Sequence, residues 1–213
     1  TAGFFKNQQD INDWIASGNG VLQSDVQPGD VKYYDIDHNG VINDADKVNL
    51  GNGMPDFTYG FTLGFDYKGF DFNVTANGMV GNDIVQAYRN VGTKTANYTT
   101  EVLSRWTGEG TSNKYPRVTE NNINWQFSDL FIHDGSFLRV SNITLGYDFV
   151  KILKTQLFSQ ARLYFQIQNA LTFTKYNGMD PEIGYGVNSW ASGIDLGYYP
   201  RPRTILVGVN LKF

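Results

Sequence analysis

The 213-residue sequence contains no cysteine, which excludes disulfide bonds and thiolate metal sites. No apolar run approaches the ~20 residues that a transmembrane helix requires, and the longest clear one, Ile205–Val209, has the size of a strand. No basic patch accompanies the net charge of −4, which argues against nucleic acid as a partner. No nucleophile–base pair and no glycine-rich phosphate loop stand out, so the sequence does not predict an enzyme. No signal peptide precedes Thr1. If the protein is exported, we therefore expect this chain to be either a processed product or a fragment of a longer protein.

The sequence is rich in residues that favour β structure, since aromatic residues make up 15% of it and 23 residues are glycine. Apolar and polar residues alternate with a period of two, which is the pattern of a strand with one apolar face. Lys68-Gly69 lies between two such segments and predicts a two-residue hairpin turn. The five segments with this alternation are Phe57–Tyr67, Phe70–Val80, Phe137–Phe149, Ala161–Phe173 and Arg203–Phe213.

These strands favour a membrane barrel over the alternative, a soluble β-sandwich. An 11-residue strand at ~3.4 Å per residue, tilted by ~45°, spans about 26 Å, close to the ~25 Å apolar band of outer-membrane barrels. The last strand ends on an aromatic residue, Phe213, as is common in such barrels. Arg139 falls on the apolar face, where we expect it to snorkel to the interface. The residues that we expect to face lipid are Phe61, Phe65, Val74, Leu145, Ile167 and Val207.

The lengths of the segments between the strands predict which side of the membrane each segment occupies. If Phe213 is periplasmic, the long segments 1–56 and 81–136 are extracellular loops. The hairpin 57–80 and the last three strands, within 137–213, then cross the membrane. Short helices are predicted near Asp10–Gly18 (capped by Asp10), Ile84–Val91 and Thr100–Trp106. Five strands cannot close a barrel, so we expect the remaining strands to lie N-terminal to Thr1.

An acidic loop at 35–46 has the spacing of an EF-hand calcium loop, with Gly40 at the sharp turn. In this pattern the oxygen ligands of Ca²⁺ come from loop positions 1, 3, 5, 7, 9 and 12. The alternative is a solvated acidic turn that holds no ion. The predicted metal ligands are Asp35, Asp37, Asn39, Val41 through its carbonyl, Asn43 and Asp46.

Tryptophan and histidine in the loop segments carry weaker predictions. Trp14, Trp106, Trp125 and Trp190 either pack the loops together or stack on sugar rings, and we favour packing. His38 and His133 each stand alone in a loop, so we interpret both as surface residues rather than metal ligands.

Several stretches resemble one family, the SusC-like TonB-dependent transporters, over nearly the whole chain and in the same order. The two most specific matches are Asp134–Tyr147 and Gln168–Glu182. The other similar stretches are Pro28–Ile42, Gly51–Phe61, Tyr67–Asp71, Arg105–Thr107, Tyr115–Arg117 and Pro200–Thr204.

The resemblance implies a 22-stranded outer-membrane barrel of a Gram-negative bacterium, with this chain as its last five strands. It also implies an N-terminal plug, energy supplied by TonB, and a SusD-like surface lipoprotein as a lid. The implied function is active import of oligosaccharides or oligopeptides. A passive porin and a barrel-anchored surface adhesin remain the alternatives, and the substrate class stays open.

Overall fold

The computed structural model of the chain describes residues 1–87, 97–120, 122–153, 157–183 and 193–213. These residues form two compact units. Unit 1 comprises Thr1–Gly51 and Ala87–Ile132, and unit 2 comprises Asn52–Gln86 and His133–Phe213. The long strands therefore belong to unit 2, whereas unit 1 is built from the segments predicted as long loops.

The described residues contain eight strands and two α-helices. The strands are β1 (Phe57–Tyr67), β2 (Phe70–Val80), β3 (Asp83–Gln86), β4 (Ile132–Asp134), β5 (Phe137–Asp148), β6 (Gln160–Thr174), β7 (Ile194–Asp195) and β8 (Thr204–Lys212). The α-helices are α1 (Gln8–Ala16) and α2 (Val150–Leu153), and short 3₁₀ helices occur at Asp44–Asp46, Thr100–Ser104, Asn122–Trp125 and Asp129–Phe131. The five predicted long strands are all present, with bounds that differ from the prediction by at most one residue at each end.

The five long strands form one antiparallel sheet in the order β1-β2-β5-β6-β8. The hairpin between β1 and β2 has the predicted register, since Tyr67 pairs with Phe70 and Phe57 pairs with Val80. Its two turn residues, Lys68 and Gly69, have φ angles of 48° and 94°. Positive φ at both central positions is the signature of a type I′ turn, whose twist matches that of the flanking strands.

One face of this sheet is an apolar wall, and the register shows how it arises. Phe65 pairs with Phe72, Phe72 with Leu145, Leu145 with Phe165, and Phe165 with Val207, so five apolar residues lie side by side across five strands. Side chains at paired positions share a face of a sheet. Leu63, Val74, Ile143, Ile167 and Ile205 form the adjacent row. Much of the wall is exposed to solvent, and Val207 keeps 71% of its surface. The predicted grouping of Phe61, Phe65, Val74, Leu145, Ile167 and Val207 on one face is confirmed.

The opposite face is a polar wall with an ion pair across three strands. Asp71 on β2 and Arg162 on β6 form two hydrogen bonds, of 2.7 and 2.5 Å. They meet above Gly146 on the intervening strand, where an added Cβ would lie 2.3 Å from an Asp71 oxygen. The glycine therefore makes room for the ion pair.

The predicted position of Arg139 on the apolar face is wrong. A bulge at Ser141 shifts the register of β5, so that Val140 pairs with Ala76 while Asn142 pairs with Thr75. One extra residue reverses the alternation. Arg139 consequently lies on the polar wall, and it is buried, with 3% of its surface exposed.

A second, three-stranded sheet in the order β4-β3-β7 corrects another prediction. Residues 83–86 form a strand, not the start of the predicted helix Ile84–Val91, and the rest of that prediction lies outside the described residues. Ile84 is 1% exposed and packs with Tyr176 and Ile183 in the buried cluster of unit 2. The burial of Ile84 in the tertiary structure here outweighs the local preference for a helix. The predicted helix at Thr100–Trp106 is present as a 3₁₀ helix, Thr100–Ser104.

In unit 1, α1 lies where the sequence places a helix, but its cap differs. Asn7, not Asp10, is the N-cap, and its side chain accepts a hydrogen bond from the Asp10 amide. Asp10 instead accepts the Lys6 amide, 2.8 Å away. Gly18 follows the end of the helix with φ of 89°, as predicted for a glycine stop.

Candidate functional site

The acidic loop folds around the carboxylate of Asp35, which has 2% of its surface exposed. The backbone amides of Gly40, Asn39 and Gly20 donate to its oxygens over 2.7, 3.1 and 3.2 Å. Gly40 has φ of 81°, a conformation that glycine adopts without strain, and this lets its amide turn toward Asp35. The sharp turn at Gly40 thus has the place that the calcium-loop pattern gives it.

Three of the six predicted ligands come together. Asp35, Asp37 and Asp46 each offer a carboxylate oxygen, and these oxygens all lie within 4.8 Å of one another. Calcium binds oxygen at ~2.3–2.6 Å, so two oxygens on one ion are at most about 5 Å apart. The three carboxylates therefore fit a common Ca²⁺ ion, and hard oxygen donors are the ligands that this ion prefers.

The oxygens of the other three predicted ligands take part in hydrogen bonds of the loop itself. Asn39 accepts the Val41 amide at 2.8 Å, and the Val41 carbonyl accepts the Asn43 side-chain amide at 3.3 Å. The Asn43 oxygen accepts the Ala45 amide at 2.8 Å and so caps the 3₁₀ helix Asp44–Asp46. Asp46 accepts the Asn43 amide in return, which completes a capping box. These bonds fix the C-terminal part of the loop.

The loop is also tied to α1. Gly20 donates to Asp35, and its carbonyl accepts the indole N–H of Trp14 at 3.2 Å. An added Cβ on Gly20 would lie 2.9 Å from backbone atoms of Gly40, so the two chain segments touch here. Helix α1 therefore supports the N-terminal end of the loop, where Asp35 lies.

The electrostatics of the loop favour a bound cation. Burial works toward a higher pKa of the Asp35 carboxyl, but hydrogen bonds from the Gly40, Asn39 and Gly20 amides outweigh it and hold that pKa below its usual value. Asp35 is thus ionised at neutral pH. Within the described residues, Lys47 pairs with Asp44 at 2.7 Å, and no basic side chain forms an ion pair with Asp35, Asp37 or Asp46. Backbone amides donate hydrogen bonds to all three carboxylates.

The described tryptophans pack the loops, as predicted. Trp14 contacts Phe5 edge-on with ring centroids 6.2 Å apart, and Trp125 contacts Tyr115 at 5.4 Å. Trp106 covers Gly29 so closely that a Cβ there would lie 2.3 Å from the indole ring. Trp190 lies outside the described residues.

The two histidines differ. His38 is exposed, with φ of 56°, as expected for a surface loop residue. His133 is only partly exposed, and its ring packs edge-on against Tyr176 with centroids 5.8 Å apart.

A buried ion pair joins the two segments of unit 1. Asp30 is 1% exposed, and Arg117 donates to both of its oxygens over 2.5 and 3.2 Å. The side chain of Asn124 donates to the same carboxylate at 2.9 Å. The pair is 87 residues apart in sequence, so periodicity gives no signal for it. Both residues do lie in stretches that carry the family resemblance.

A second network of charged residues, buried only around Arg139 and Asp180, lies in unit 2 and was also not predicted. Arg139 pairs with Asp180 and lies 3.2 Å from an oxygen of Glu182. Glu182 in turn pairs with Arg201 at 3.1 Å. The network connects the stretches Asp134–Tyr147, Gln168–Glu182 and Pro200–Thr204. The assignment of Arg139 to the wrong face concealed it.

Among the described residues, no helix combines the length and the apolar character that crossing a membrane would require.

No protein-family model matches the sequence. Curated relatives do match it. The TonB-dependent receptor P3 of Formosa agariphila is 37% identical over 206 residues, which cover 92% of this chain and 20% of the receptor. The TonB-dependent receptor SusC of Bacteroides thetaiotaomicron is 33% identical over 198 residues, which cover 91% of this chain and 18% of SusC. The chain thus spans about a fifth of the length of these relatives, whose names are those of receptors and not of enzymes.

Solved structures agree with these relatives. The RagAB peptide importer in its open-open state matches 75% of this chain with a TM-score of 0.58 and 26% identity, over 17% of the solved chain. The closed-closed state matches 100% of this chain with a TM-score of 0.63 and 24% identity, over 22% of the solved chain, and this second match bears on the fold alone. The all-β fold expected from the alternation is therefore confirmed. By sequence and by fold, the chain belongs to the SusC-like TonB-dependent receptors.

Proposed function

We propose that this chain is the C-terminal barrel segment of a transporter that imports large nutrients, oligosaccharides or oligopeptides, across the outer membrane of a Gram-negative bacterium with energy from TonB. The observation that carries the proposal is the identity of 31–37% with receptors named as TonB-dependent, over most of the chain. Oligopeptides stay among the substrates because the solved structures that resemble this chain are those of a peptide importer.

The two walls of the sheet support a position in the membrane. The apolar wall fits hydrocarbon, and the polar wall fits the inside of a barrel, because strands of outer-membrane barrels alternate in this way. The outer edges of β1 and β8 have no partner strand within the described residues. Unpaired backbone groups in hydrocarbon cost several kcal/mol each. The proposed barrel therefore needs further strands at both edges, and its remaining partners are the plug, TonB, outer-membrane lipid and a SusD-like lipoprotein.

Genetics distinguishes this proposal from the two alternatives. The full-length gene is deleted in its host and restored either intact or without the segment that contacts TonB. Growth is then measured on oligosaccharides and on oligopeptides as the sole nutrient. The proposal expects one nutrient class to fail in the deletion strain and in the uncoupled strain. Growth in the uncoupled strain at the intact level would point to a passive porin, and normal growth of the deletion strain on every nutrient would point to an adhesin.

We also propose that the loop Asp35–Asp46 binds Ca²⁺ and that the ion has a structural role. Support comes from the three carboxylates that lie within 4.8 Å of one another, and from the amides that hold Asp35 in its ionised form. A bound ion would stiffen a loop that is too polar to pack by itself. We expect weak binding, with a Kd of ~10⁻⁴–10⁻³ M as in extracellular modules.

The calcium test uses the full-length receptor and a control from the same loop. Hydrogen exchange of peptides that cover residues 35–46 is followed in millimolar Ca²⁺ and in chelator. Chelation should speed exchange in the wild type, and the double substitution Asp35→Asn with Asp37→Asn should remove this difference. Asp44→Asn is the control, because Asp44 is exposed and pairs with Lys47 outside the ligand set. A wild-type loop that exchanges equally in both buffers, or an equal loss in the control, would contradict the proposal.

A further inference from the structure

A small, partly open cavity lies in unit 2, beside the cluster formed by Ile84, Tyr176 and Ile183. It has a volume of about 20 Å³, and its lining includes Asn82, Ile84, Glu182 and Ile183. A cavity needs roughly 10–15 Å³ to hold one water molecule. The space therefore accommodates a single guest of that size.

Two buried acceptor oxygens belong to residues that line this cavity. Asn82 is 5% exposed, and its side-chain oxygen has no hydrogen-bond partner among the described residues. Within the part of the chain that the structure describes, the buried Oε2 atom of Glu182 also makes no hydrogen bond, whereas the other carboxylate oxygen pairs with Arg201 at 3.1 Å. The Arg139 Nε atom lies 3.2 Å from Oε2, but it too makes no hydrogen bond, so the contact is electrostatic only. A buried acceptor left without a donor is unfavourable, because it has lost its hydrogen bonds to water.

The charges around the cavity select a neutral guest. Arg139 and Arg201 carry two positive charges, and their partners Asp180 and Glu182 carry two negative charges. The network is balanced, and a further cation would meet two guanidinium groups nearby. Two orphan acceptors need two donated hydrogen atoms, which is the number that one water molecule has.

We propose that one structural water occupies this cavity and donates its two hydrogen atoms to Asn82 Oδ1 and Glu182 Oε2. The water connects the residues that join β2 to β3 with the segment 180–183, and so extends the Arg139 network to the small sheet. Asn82 also supports β4 through its backbone, since the Gly135 amide donates to its carbonyl at 2.8 Å. Water-mediated bonds of this kind are nearly as favourable in enthalpy as direct ones.

The first test is a high-resolution structure of the full-length receptor, with a second crystal soaked in rubidium. The expected result is one density peak within hydrogen-bond distance of both oxygens and no anomalous signal at that position. An empty cavity, a protein donor that reaches both oxygens, or a rubidium signal would each overturn the proposal.

The second test compares two substitutions of similar size. Asn82→Asp keeps an acceptor and should keep the water peak, whereas Asn82→Leu removes the acceptor and should lose it. Loss of the bridge should raise hydrogen exchange of the peptide that covers residues 133–136 by about tenfold in Asn82→Leu. A retained peak in Asn82→Leu, or equal exchange in both variants, would refute the assignment.

Discussion

Placing one arginine on the apolar wall tests whether that wall faces lipid. Leu63 is 61% exposed and lies in the row that also contains Val74 and Ile143. It is the seventh residue of β1, so at ~3.4 Å per residue and a tilt of ~45° it lies about 14 Å from the Phe57 end of a span of about 26 Å. In the proposed barrel, that position would lie close to the middle of the membrane.

The expected cost of Leu63→Arg follows from this depth. An arginine at the midplane of a barrel's lipid face costs about 2–4 kcal/mol. With ~1.4 kcal/mol per factor of ten, the folding equilibrium should fall roughly 30- to 700-fold. In water the same exposed position would tolerate arginine almost without cost, since surface substitutions are usually within about 0.5 kcal/mol. The two environments therefore predict clearly different results.

The control is Thr62→Arg, one residue away on the opposite face. Thr62 bonds to Thr75 at 3.2 Å on the polar wall, so its replacement should cost only about 1 kcal/mol. The assay is reversible denaturant unfolding of the full-length receptor in lipid vesicles. If Leu63→Arg costs no more than Thr62→Arg, the apolar wall does not face lipid and the reasoning fails.

Three further predictions concern ionised groups and glycines. Arg117→Met leaves Asp30 buried without its cation and should destabilise unit 1 by about 3–5 kcal/mol. The measurement is hydrogen exchange, which should become faster across both segments of unit 1. Arg117→Lys keeps a cation and should have a smaller effect. The pKa of Asp35 in the folded loop is below its usual value of 3.8. The stabilising charge of Asp35 is therefore fully present above pH 3.8 and is lost as the pH falls below that value. Protection of the loop from hydrogen exchange, corrected for intrinsic exchange, should decline only below about pH 4. Gly146→Ala should disrupt the ion pair above that residue and cost about 1–3 kcal/mol in the same unfolding assay, whereas Gly60→Ala, whose Cβ would have 3.6 Å to its nearest neighbour, should be close to neutral.

The predicted metal ligands show how much of a site a local sequence pattern can predict. Spacing alone brought Asp35, Asp37 and Asp46 to one place, because twelve residues around a glycine turn leave few ways to fold. The support that this loop receives from Trp14 and Gly20 was not predictable, since it depends on how a separate helix packs.

The five long strands, and their faces except in β5 before the bulge at Ser141, were determined by the sequence itself. A period of two and a Lys68-Gly69 turn fix the register of the β1–β2 hairpin through neighbouring residues only. The bulge at Ser141 was decided by the tertiary structure, because the pairing with both neighbouring strands sets where an extra residue is accommodated. Because of that bulge, Arg139 is not on the apolar face, where it was expected to snorkel to the interface, but is the buried partner of Asp180.

The pairing of distant charges also belongs to the tertiary structure. Asp30 finds Arg117 across 87 residues, and Asp71 finds Arg162 across 91. A charged residue in a sequence shows only that it needs a partner or water, and which of the two it receives depends on burial. The alternation of side chains therefore determined the sheet, whereas burial and strand pairing, which no single segment contains, decided which charges meet.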